Sequence, residues 1–419
     1  MTRYLNICLV LLLLSHSIQA AEQINNEITL DETIVRVLEN NPKLVINDYK
    51  ARAIAERIKT AALRPADSIQ VVMEDFGGTG NSRYLQGVET TLSFARVLEL
   101  GNKADYRANV VRQESYVLQD NNDAARLDLI AEAASRFIEI IIDQQRLLFA
   151  KQAVELLHNA KASVSKRVDA ALSPAAELHR IDIELARLEL EQEHAEHELE
   201  AAKVYLSSLW SMPIPDFTSA RADLFQLEAL QPFPAYANLL ERNPDLVRLA
   251  TRQRLASARL QLAQSARRPD IQLSGGMRYF AESDDMAFVL SATIPLGTAE
   301  RAVSSIREEE LLGQIDPLEY EQKKLTLHAT LFEIYQEIKH SRFAVETLQQ
   351  RIIPSAQQAL NSYEKLYYTG RYSLLELLES QRSLLQARFQ LIEAAARFHR
   401  LRIDLERLTG ASILTGDHS

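Results

Sequence analysis

The sequence LENNPKLV at residues 38–45 returns as LERNPDLV at residues 240–247, about two hundred residues further along the chain. Each copy runs through an Ala- and Arg-rich helical stretch to an Arg-Pro dipeptide, at residues 64–65 and again at 268–269. A short apolar patch typical of strands follows each dipeptide, and then a very long helical run. The period is far longer than the roughly 20–50 residues of solenoid repeats. The chain is therefore predicted to be a tandem duplication of one unit: a helix, a strand pair, a long helix and a second helix.

The N-terminus has the composition of a secretory signal peptide. Arg3 precedes an apolar run over residues 7–14, and small residues follow as far as Ala20 and Ala21. This predicts a cleaved signal peptide at residues 1–20, without lipidation, because the surroundings of Cys8 do not resemble a lipobox. Cys8 is the only cysteine, which excludes a disulfide framework and a cysteine metal site in the mature chain. The net charge of −10 argues against a nucleic-acid partner.

Long helices are predicted where glycine is absent. Residues 102–169 and 318–369 contain no glycine, which favours uninterrupted helix. In the last helical stretch Leu377, Leu384 and Leu391 recur at heptad spacing, which is typical of coiled-coil packing. The heptads alone favour a plain coiled-coil spacer or helical bundle.

Two segments between the helices alternate apolar residues with polar or small ones. They are predicted as β-hairpins at about residues 68–98 and 270–295. Such segments are typical of transmembrane hairpins, although a soluble hairpin packed on helices has the same local pattern. Aromatic residues near the predicted strand ends fit an interfacial girdle: Phe76, Tyr84, Phe94, Tyr279, Phe280 and Phe288. Two hairpins supply four strands, whereas small spanning barrels have at least about eight, so a membrane location requires several copies of the chain.

The stretch YYTGRYSLLELLESQR at residues 367–382 and the Ser173-Pro174 turn carry a family resemblance. With the secretion signal, the duplication and the two hairpins, they resemble the TolC-like outer membrane factors, the outer membrane efflux protein family, over essentially the whole mature chain. The Ser-Pro turn and the Asn-Pro-x-Leu at both repeat starts are most similar to the CzcC-like branch, which serves heavy-metal efflux. The implied fold class is mainly α with a β-barrel sector, closing only as a trimer of twelve strands and twelve tunnel helices.

The duplication divides the mature chain into two predicted repeats. The first covers residues 21–229, with its hairpin at about 68–98 and long helices at about 102–169 and 174–209. The second covers residues 230–419, with its hairpin at about 270–295 and long helices at about 298–369 and 374–409.

The resemblance implies a passive channel subunit in the outer membrane with a long periplasmic extension, and not an enzyme. Its implied partners are two further copies of the chain, a periplasmic adaptor (membrane fusion) protein, an inner-membrane RND pump and outer-membrane lipid. Nucleic acid and cofactors are not expected. Heavy-metal cations are the implied cargo, and a drug-efflux or type I protein-secretion channel is the alternative. From another class, a soluble periplasmic coiled-coil adaptor or scaffold is the alternative.

Residues 367–382 resemble the family's helix-turn-helix at the periplasmic tip. The resemblance assigns Glu376 and Glu379 to the gate, where three copies of each would form a carboxylate ring that favours cations. Arg371 and Tyr368 are expected to pair with them or with the adaptor. The predicted turn and cap residues of the two tips are Gly370, Ser373, Ser173 and Pro174. A capping box, Ser373-x-x-Glu376, is the alternative role of Glu376.

His194-x-x-His197 has the spacing of a metal site. The heptad places both histidines on outward, solvated faces, so no metal site is predicted there. A conduit also needs weak contact with its cargo, because transport requires release.

Overall fold

In the computed structural model, the chain is described over residues 27–85 and 87–410. The predicted signal peptide at residues 1–20, with Cys8, lies outside the described residues. The elements, in chain order, are β1 (Glu27–Ile28), α1 (Leu30–Asn40), α2 (Pro42–Ala61), β2 (Ser68–Glu74), a 3-10 turn (Gly80–Ser82), β3 (Glu89–Leu98), α3 (Lys103–Asp169), α4 (Ala175–Ser208), β4 (Ser219–Ala220), α5 (Phe233–Ala237), a 3-10 turn (Asn238–Arg242), α6 (Pro244–Ser265), β5 (Ile271–Phe280), β6 (Asp285–Thr293), α7 (Thr298–Leu312), α8 (Ile315–Thr347), a π-helical turn (Leu348–Ile352), α9 (Ile353–Tyr368) and α10 (Leu374–Thr409).

The repeated Asn-Pro motif starts a helix in each repeat. The side-chain oxygens of Asn41 and Asn243 each accept a 2.9 Å hydrogen bond from the backbone N–H two residues on. Proline follows each asparagine at a position where its missing N–H costs no intrahelical hydrogen bond. Asn243 also donates from Nδ2 to the carbonyl oxygen of Leu408, 2.8 Å away. The start of α6 is thereby held to the end of α10.

The long helices differ between the repeats. α3 has 67 residues and contains neither glycine nor proline. The corresponding path in the second repeat is divided into α7, α8 and α9, with Gly313 after α7 and Pro354 in the first turn of α9. Across residues 27–85 and 87–410, no helix is both long and apolar enough to cross a membrane.

A four-stranded sheet joins the two repeats. Its strand order is β2-β3-β5-β6, and every neighbouring pair is antiparallel. β3 of the first repeat pairs with β5 of the second along its whole length, from Glu89 opposite Phe280 to Leu98 opposite Ile271. Within the described residues, β2 and β6 each keep one edge without a strand partner. The sheet is therefore open in a single chain.

One face of this sheet, the apolar face, is exposed. Eight of its apolar side chains are 44% to 88% exposed: Ile69, Val71, Met73, Leu92, Phe94, Met277, Phe288 and Leu290. On the opposite face Thr91 and Ser93 are buried, and Arg278 donates to Thr91 at 2.9 Å and to Glu89 at 2.7 Å. A sheet in water buries its apolar alternates and exposes its polar ones. The reverse arrangement is typical of strands that face lipid.

The described residues form two compact units that do not follow the repeats. One unit contains the described residues up to Glu39, with Ala133–Leu227 and Ser341–Arg400, and its core includes Phe137, Ile181 and Phe398. The other contains Asn40–Glu132, Glu228–His340 and the described residues from Leu401 onward, including the four-stranded sheet. Because each unit combines segments of both repeats, the repeat boundary between residues 229 and 230 stays a prediction.

Candidate functional site

The turn between α3 and α4 and the turn between α9 and α10 have the same backbone geometry. Ala171 and Gly370 adopt positive φ angles of 54° and 72°. In each turn the next N–H donates to the carbonyl oxygen five residues back, that of Arg167 at 2.8 Å and that of Leu366 at 3.0 Å. This is the Schellman end of a helix. Ala171 therefore takes the place of the turn glycine, at a cost of about 1–2 kcal/mol for a left-handed alanine.

The cap predicted at Ser173 is wrong. α4 begins at Ala175 with Pro174 at its N-cap position, and no side chain caps it. The backbone carbonyl of Pro174 accepts the N–H of Glu177 at 3.0 Å, so the first turn of the helix closes on backbone. The Ser173 hydroxyl instead accepts a 3.2 Å hydrogen bond from Nε of Arg167.

The second turn contains the capping box. Oε2 of Glu376 accepts hydrogen bonds from the backbone N–H of Ser373 at 2.9 Å and from its hydroxyl at 3.0 Å. This satisfies a backbone donor at the start of α10 that has no intrahelical partner. Glu376 nevertheless remains exposed, so its charge faces solvent while it caps the helix.

Glu376 and Glu379 line one groove beside the second turn. The other lining residues are Ala356, Ala359, Tyr363, Ser380 and Ser383. The Glu379 side chain is 66% exposed, and its carboxylate lies 3.8 Å from Arg382, which is a loose ion pair. Arg382 has a closer partner in Glu184, at 3.0 Å. Both groove carboxylates are thus accessible to an ion.

Arg167 connects the two turns. Its Nη1 donates to the carbonyl oxygens of Tyr367 and Tyr368 at 3.2 and 3.3 Å, and its guanidinium lies 4.8 Å from the centre of the Tyr367 ring. The buried Tyr367 hydroxyl donates to Oε2 of Glu177 at 3.1 Å. Burial raises the pKa of Tyr367 above its ordinary value, and the Glu177 carboxylate raises it further. Tyr367 is therefore a neutral donor at physiological pH, and we call Arg167, Tyr367 and Glu177 the tip link.

Tyr368 and Arg371 lie apart from the groove carboxylates. The Tyr368 hydroxyl donates to Oγ of Ser163 on α3, at 3.2 Å. Arg371 is exposed, and its backbone N–H forms part of the turn. No hydrogen bond or ion pair joins either residue to Glu376 or Glu379 within the described chain. Pairing with those acids is thus not formed within the described part of a single chain, and pairing with the adaptor stays a prediction.

Sequence reasoning missed the tip link. Aligning the two turns on their left-handed residues pairs Glu177 with Glu376, and this is the signal that could have found Glu177. Tyr367 stands at the start of the quoted stretch, but its role depends on burial. Arg167 has no local signal, because its partners Tyr367 and Tyr368 lie about two hundred residues away along the chain.

An apolar core supports the two turns. Its buried members come from both repeats and are Leu157, Ala160, Val164, Ile181, Leu185, Leu360, Tyr367, Leu374, Leu377 and Leu384. Burying one leucine side chain contributes about 1.5–3 kcal/mol. Packing therefore holds the helices together near the turns, and the polar tip link fixes how the two turns meet.

A second charged group surrounds Arg146 on α3. Asp143, Glu198 and Glu139 lie 3.1, 3.8 and 4.0 Å from its Nη1, and Glu393 bonds to Nη2. Asp143 is 3% exposed. Burial, and to a smaller extent the nearby Glu139 and Glu198, raise the pKa of Asp143 from 3.8 to about 6, against the lowering effect of Arg146. Asp143 therefore shares Arg146 with three further carboxylates, of which Glu139 also pairs with Arg400 at 2.7 Å.

Asp143→Asn is expected to stabilise the protein more at pH 7.5 than at pH 4.5. A raised carboxyl pKa means that ionised Asp143 weakens the fold above about pH 6, and that this cost falls as the pH drops towards 4. The cost is about 3 kcal/mol at pH 7.5 and about 1 kcal/mol at pH 4.5. Thermal unfolding of the native chain and of Asp143→Asn at both pH values measures the change in stability. Glu155→Gln, an exposed change on the same helix, is the control; an equal shift for Asp143→Asn at both pH values would contradict the assignment.

Five of the six predicted girdle aromatics are exposed, in two places. Phe94, Tyr279 and Phe288 lie on the apolar face of the sheet, at 48%, 38% and 88% exposure. Phe94 and Phe288 occupy inner rows of the sheet and not strand ends. Phe76 and Tyr84 lie in the connection between β2 and β3, at 54% and 76% exposure.

The prediction is wrong for Phe280. Phe280 stands opposite Glu89 and Asp285 on the polar face of the sheet. Consecutive residues of a strand point to opposite faces, so Phe280 and Tyr279 cannot share one girdle.

His194 and His197 each pair with a glutamate of their own helix. His194 lies 3.2 Å from Glu198, His197 lies 2.7 Å from Glu193, and both histidines are exposed. Among the described residues, no group of three or more His, Cys, Asp or Glu is arranged to hold a metal ion.

Comparison with known proteins identifies relatives of the same architecture. A family model described as outer membrane efflux protein matches residues 235–411. The cobalt-zinc-cadmium resistance protein CzcC of Cupriavidus metallidurans is 27% identical over 320 residues, which is 75% of each chain. The cation efflux system protein CusC of Escherichia coli K12 is 22% identical over 333 residues, 75% of this chain and 71% of CusC. A crystal structure of CusC superposes with a TM-score of 0.77 at 19% identity, over 91% of this chain and 92% of that one.

The fold is that of the CusC crystal structure, with long helices and a sheet whose apolar face is exposed. Residues 235–411 thus match the outer membrane efflux protein family, and CzcC is similar over 75% of the chain. The predicted fold class, mainly α with one β-hairpin in each of two repeats, is confirmed.

Proposed function

We propose that three copies of this chain form an outer-membrane channel that works with a periplasmic adaptor and an inner-membrane RND pump to export heavy-metal cations. The observation that carries the channel is the exposed apolar face of a sheet whose outer strands keep open edges. Four strands per chain make twelve in a trimer, which is above the roughly eight that a spanning barrel needs.

The apolar face also argues against a soluble scaffold. Apolar surface in water costs about 25 cal/mol per Å², and soluble monomers rarely expose large contiguous apolar patches. A soluble coiled-coil adaptor would need neither this face nor the pairing of β3 with β5.

The cargo proposal is supported by the names of two relatives. CzcC is called a cobalt-zinc-cadmium resistance protein and CusC a cation efflux system protein. The accessible carboxylates of Glu376 and Glu379 are suited to cations.

Deletion of the gene, followed by growth on cobalt, zinc and cadmium, tests the cargo. We expect lower tolerance to at least one metal and its return with the intact gene. Unchanged metal tolerance together with new sensitivity to organic toxicants would assign the channel to drug efflux instead.

We also propose that the helical turns form the gate. The tip link and the contact of Tyr368 with Ser163 hold the second turn to the first repeat, and Glu376 and Glu379 stand beside it. In a trimer each carboxylate would recur three times around one axis. Negative charges brought together in this way favour the entry of cations.

The double variant Glu376→Gln/Glu379→Gln is expected to lower the cation-to-anion permeability ratio by roughly threefold or more, because it removes carboxylate charge at the gate. Glutamine retains the side-chain oxygen that caps Ser373, so the helix start is preserved. Reversal potentials in planar bilayers under a salt gradient measure the ratio.

The control is Glu155→Gln/Glu191→Gln, which removes the same charge from two exposed positions away from the turns. An unchanged ratio in the Glu376→Gln/Glu379→Gln channel would remove both residues from the gate.

A further inference from the structure

A π-helical turn separates α8 from α9. The N–H of Ile353 donates to the carbonyl oxygen of Leu348, five residues back, where an α-helix would bond four residues back. Pro354 follows at once; it has no N–H to offer Gln350, and its ring crowds that carbonyl. The helical path from Ile315 to Tyr368 is thus weakest in backbone hydrogen bonding at residues 348–354.

The π-turn absorbs one extra residue in a heptad stripe. Leu331, Ile338 and Val345 are spaced by seven residues and are each at most 1% exposed. After the turn, Leu360 and Tyr367 are again spaced by seven and are each 2% exposed. Ile353 continues the second series and is partly buried, so the step from Val345 to Ile353 is eight residues. The bulge therefore keeps one buried face through an insertion of one residue.

The first repeat has no such turn. α3 runs without interruption from Lys103 to Asp169, and its end carries Arg167. Around the π-turn, Gln349, Gln350 and Arg351 are exposed, so bending there disturbs little packing. Helices bend sharply at proline and at π-bulges.

Beyond the π-turn, polar contacts tie the end of α9 to the first repeat. Arg167 donates to the carbonyl oxygens of Tyr367 and Tyr368, Tyr367 donates to Glu177, and Tyr368 donates to Ser163. The start of α9 is thus weakly held by backbone hydrogen bonds. Its end is held to the first repeat by side-chain hydrogen bonds that can break.

We propose that the π-turn at Leu348–Ile352, with Pro354, is the pivot about which α9 and the second turn swing when the gate opens. The proposal rests on the gate proposed above. α9 moves as a rigid lever because its own hydrogen bonds stay intact, and the bond from Ile353 to Leu348 takes up the change in angle. The first repeat, with its unbroken α3, is the fixed side.

The test removes the pivot and keeps the buried stripe. Deleting Gln350 and changing Pro354→Ala shortens the step from Val345 to Ile353 to seven residues, so a regular α-helix buries the whole stripe. We call this the straightened variant. Arg167→Ala, which breaks the tip link, is introduced into the native and the straightened chains, and conductance is measured in planar bilayers.

In the native background Arg167→Ala is expected to raise the conductance roughly tenfold or more, and in the straightened background less than roughly twofold. Hydrogen exchange supplies a second readout: the amides of residues 351–353 and 355–356 exchange faster on Arg167→Ala in the native chain, and not in the straightened chain. SDS-resistant trimers of every variant verify assembly. Gln350→Ala alone keeps both the extra residue and Pro354, so it should behave as the native chain does.

Equal conductance rises in both backgrounds would overturn the pivot and leave the gate standing. No rise in either background would refute the tip link as a gate, and the swing about residues 348–354 with it. A straightened variant that conducts freely with its tip link intact would also overturn the pivot. The π-turn would then be needed to close the channel and not to open it.

Discussion

Gly276→Val is expected to abolish assembly of the channel. A Cβ atom at Gly276 would lie 2.1 Å from the carbonyl oxygen of Leu92 and 2.6 Å from Cα of Ser93. Both contacts are with backbone, so no side-chain rotation relieves them. β3 and β5 would have to separate where the two repeats join. We expect a cost above about 4 kcal/mol, which is a large part of the stability of most domains.

The measurement is the yield of heat-modifiable trimer in the outer-membrane fraction, which should fall to background for Gly276→Val. Gly275→Ala is the matched control. A Cβ at Gly275 meets Cδ1 of Leu290 at 3.8 Å, an ordinary contact. This variant should assemble as the native chain does. Normal trimers from Gly276→Val would show that the pairing of Leu92 and Ser93 with β5 is not needed for assembly.

The duplication allowed the repeated elements to be located from sequence. The predicted hairpin at 68–98 contains β2 and β3, and that at 270–295 contains β5 and β6. Glycines cluster in these windows, and the Asn-Pro motifs mark the helix starts that Asn41 and Asn243 cap. These signals are local, so a single sequence carries them.

Other features depend on partners far along the chain. The predicted long helix over 298–369 is broken at Gly313 and at the π-turn. The one-residue insertion at the π-turn can be recognised only when it is known which residues of the heptad stripe are buried. The sequence Ser373-x-x-Glu376 predicted the role of Glu376 as a helix cap. The prediction that Ser173 caps a helix was wrong, because its hydroxyl accepts a hydrogen bond from Arg167 instead. Long-range polar contacts of this kind leave no periodic trace in a sequence.

Arg167→Ala is expected to open the channel. The change removes the hydrogen bonds from Arg167 to Ser173 and to the carbonyl oxygens of Tyr367 and Tyr368, and the contact with the Tyr367 ring. Hydrogen bonds to charged groups each contribute about 1.5–3 kcal/mol, and partial exposure lowers this, so the closed state should lose about 2–3 kcal/mol per chain. That shifts the closed-to-open equilibrium roughly 30- to 150-fold.

Single-channel conductance and uptake of a large antibiotic by intact cells measure the opening. Lys166→Ala is the matched control, since it removes the same charge from an exposed neighbour on α3. Tyr367→Phe removes the bond to Glu177 and keeps the ring under Arg167, so we expect a smaller shift, roughly fivefold for about 1 kcal/mol. If Lys166→Ala opened the channel as far as Arg167→Ala, net charge at the turn would set closure, and the directed bonds of the tip link would not.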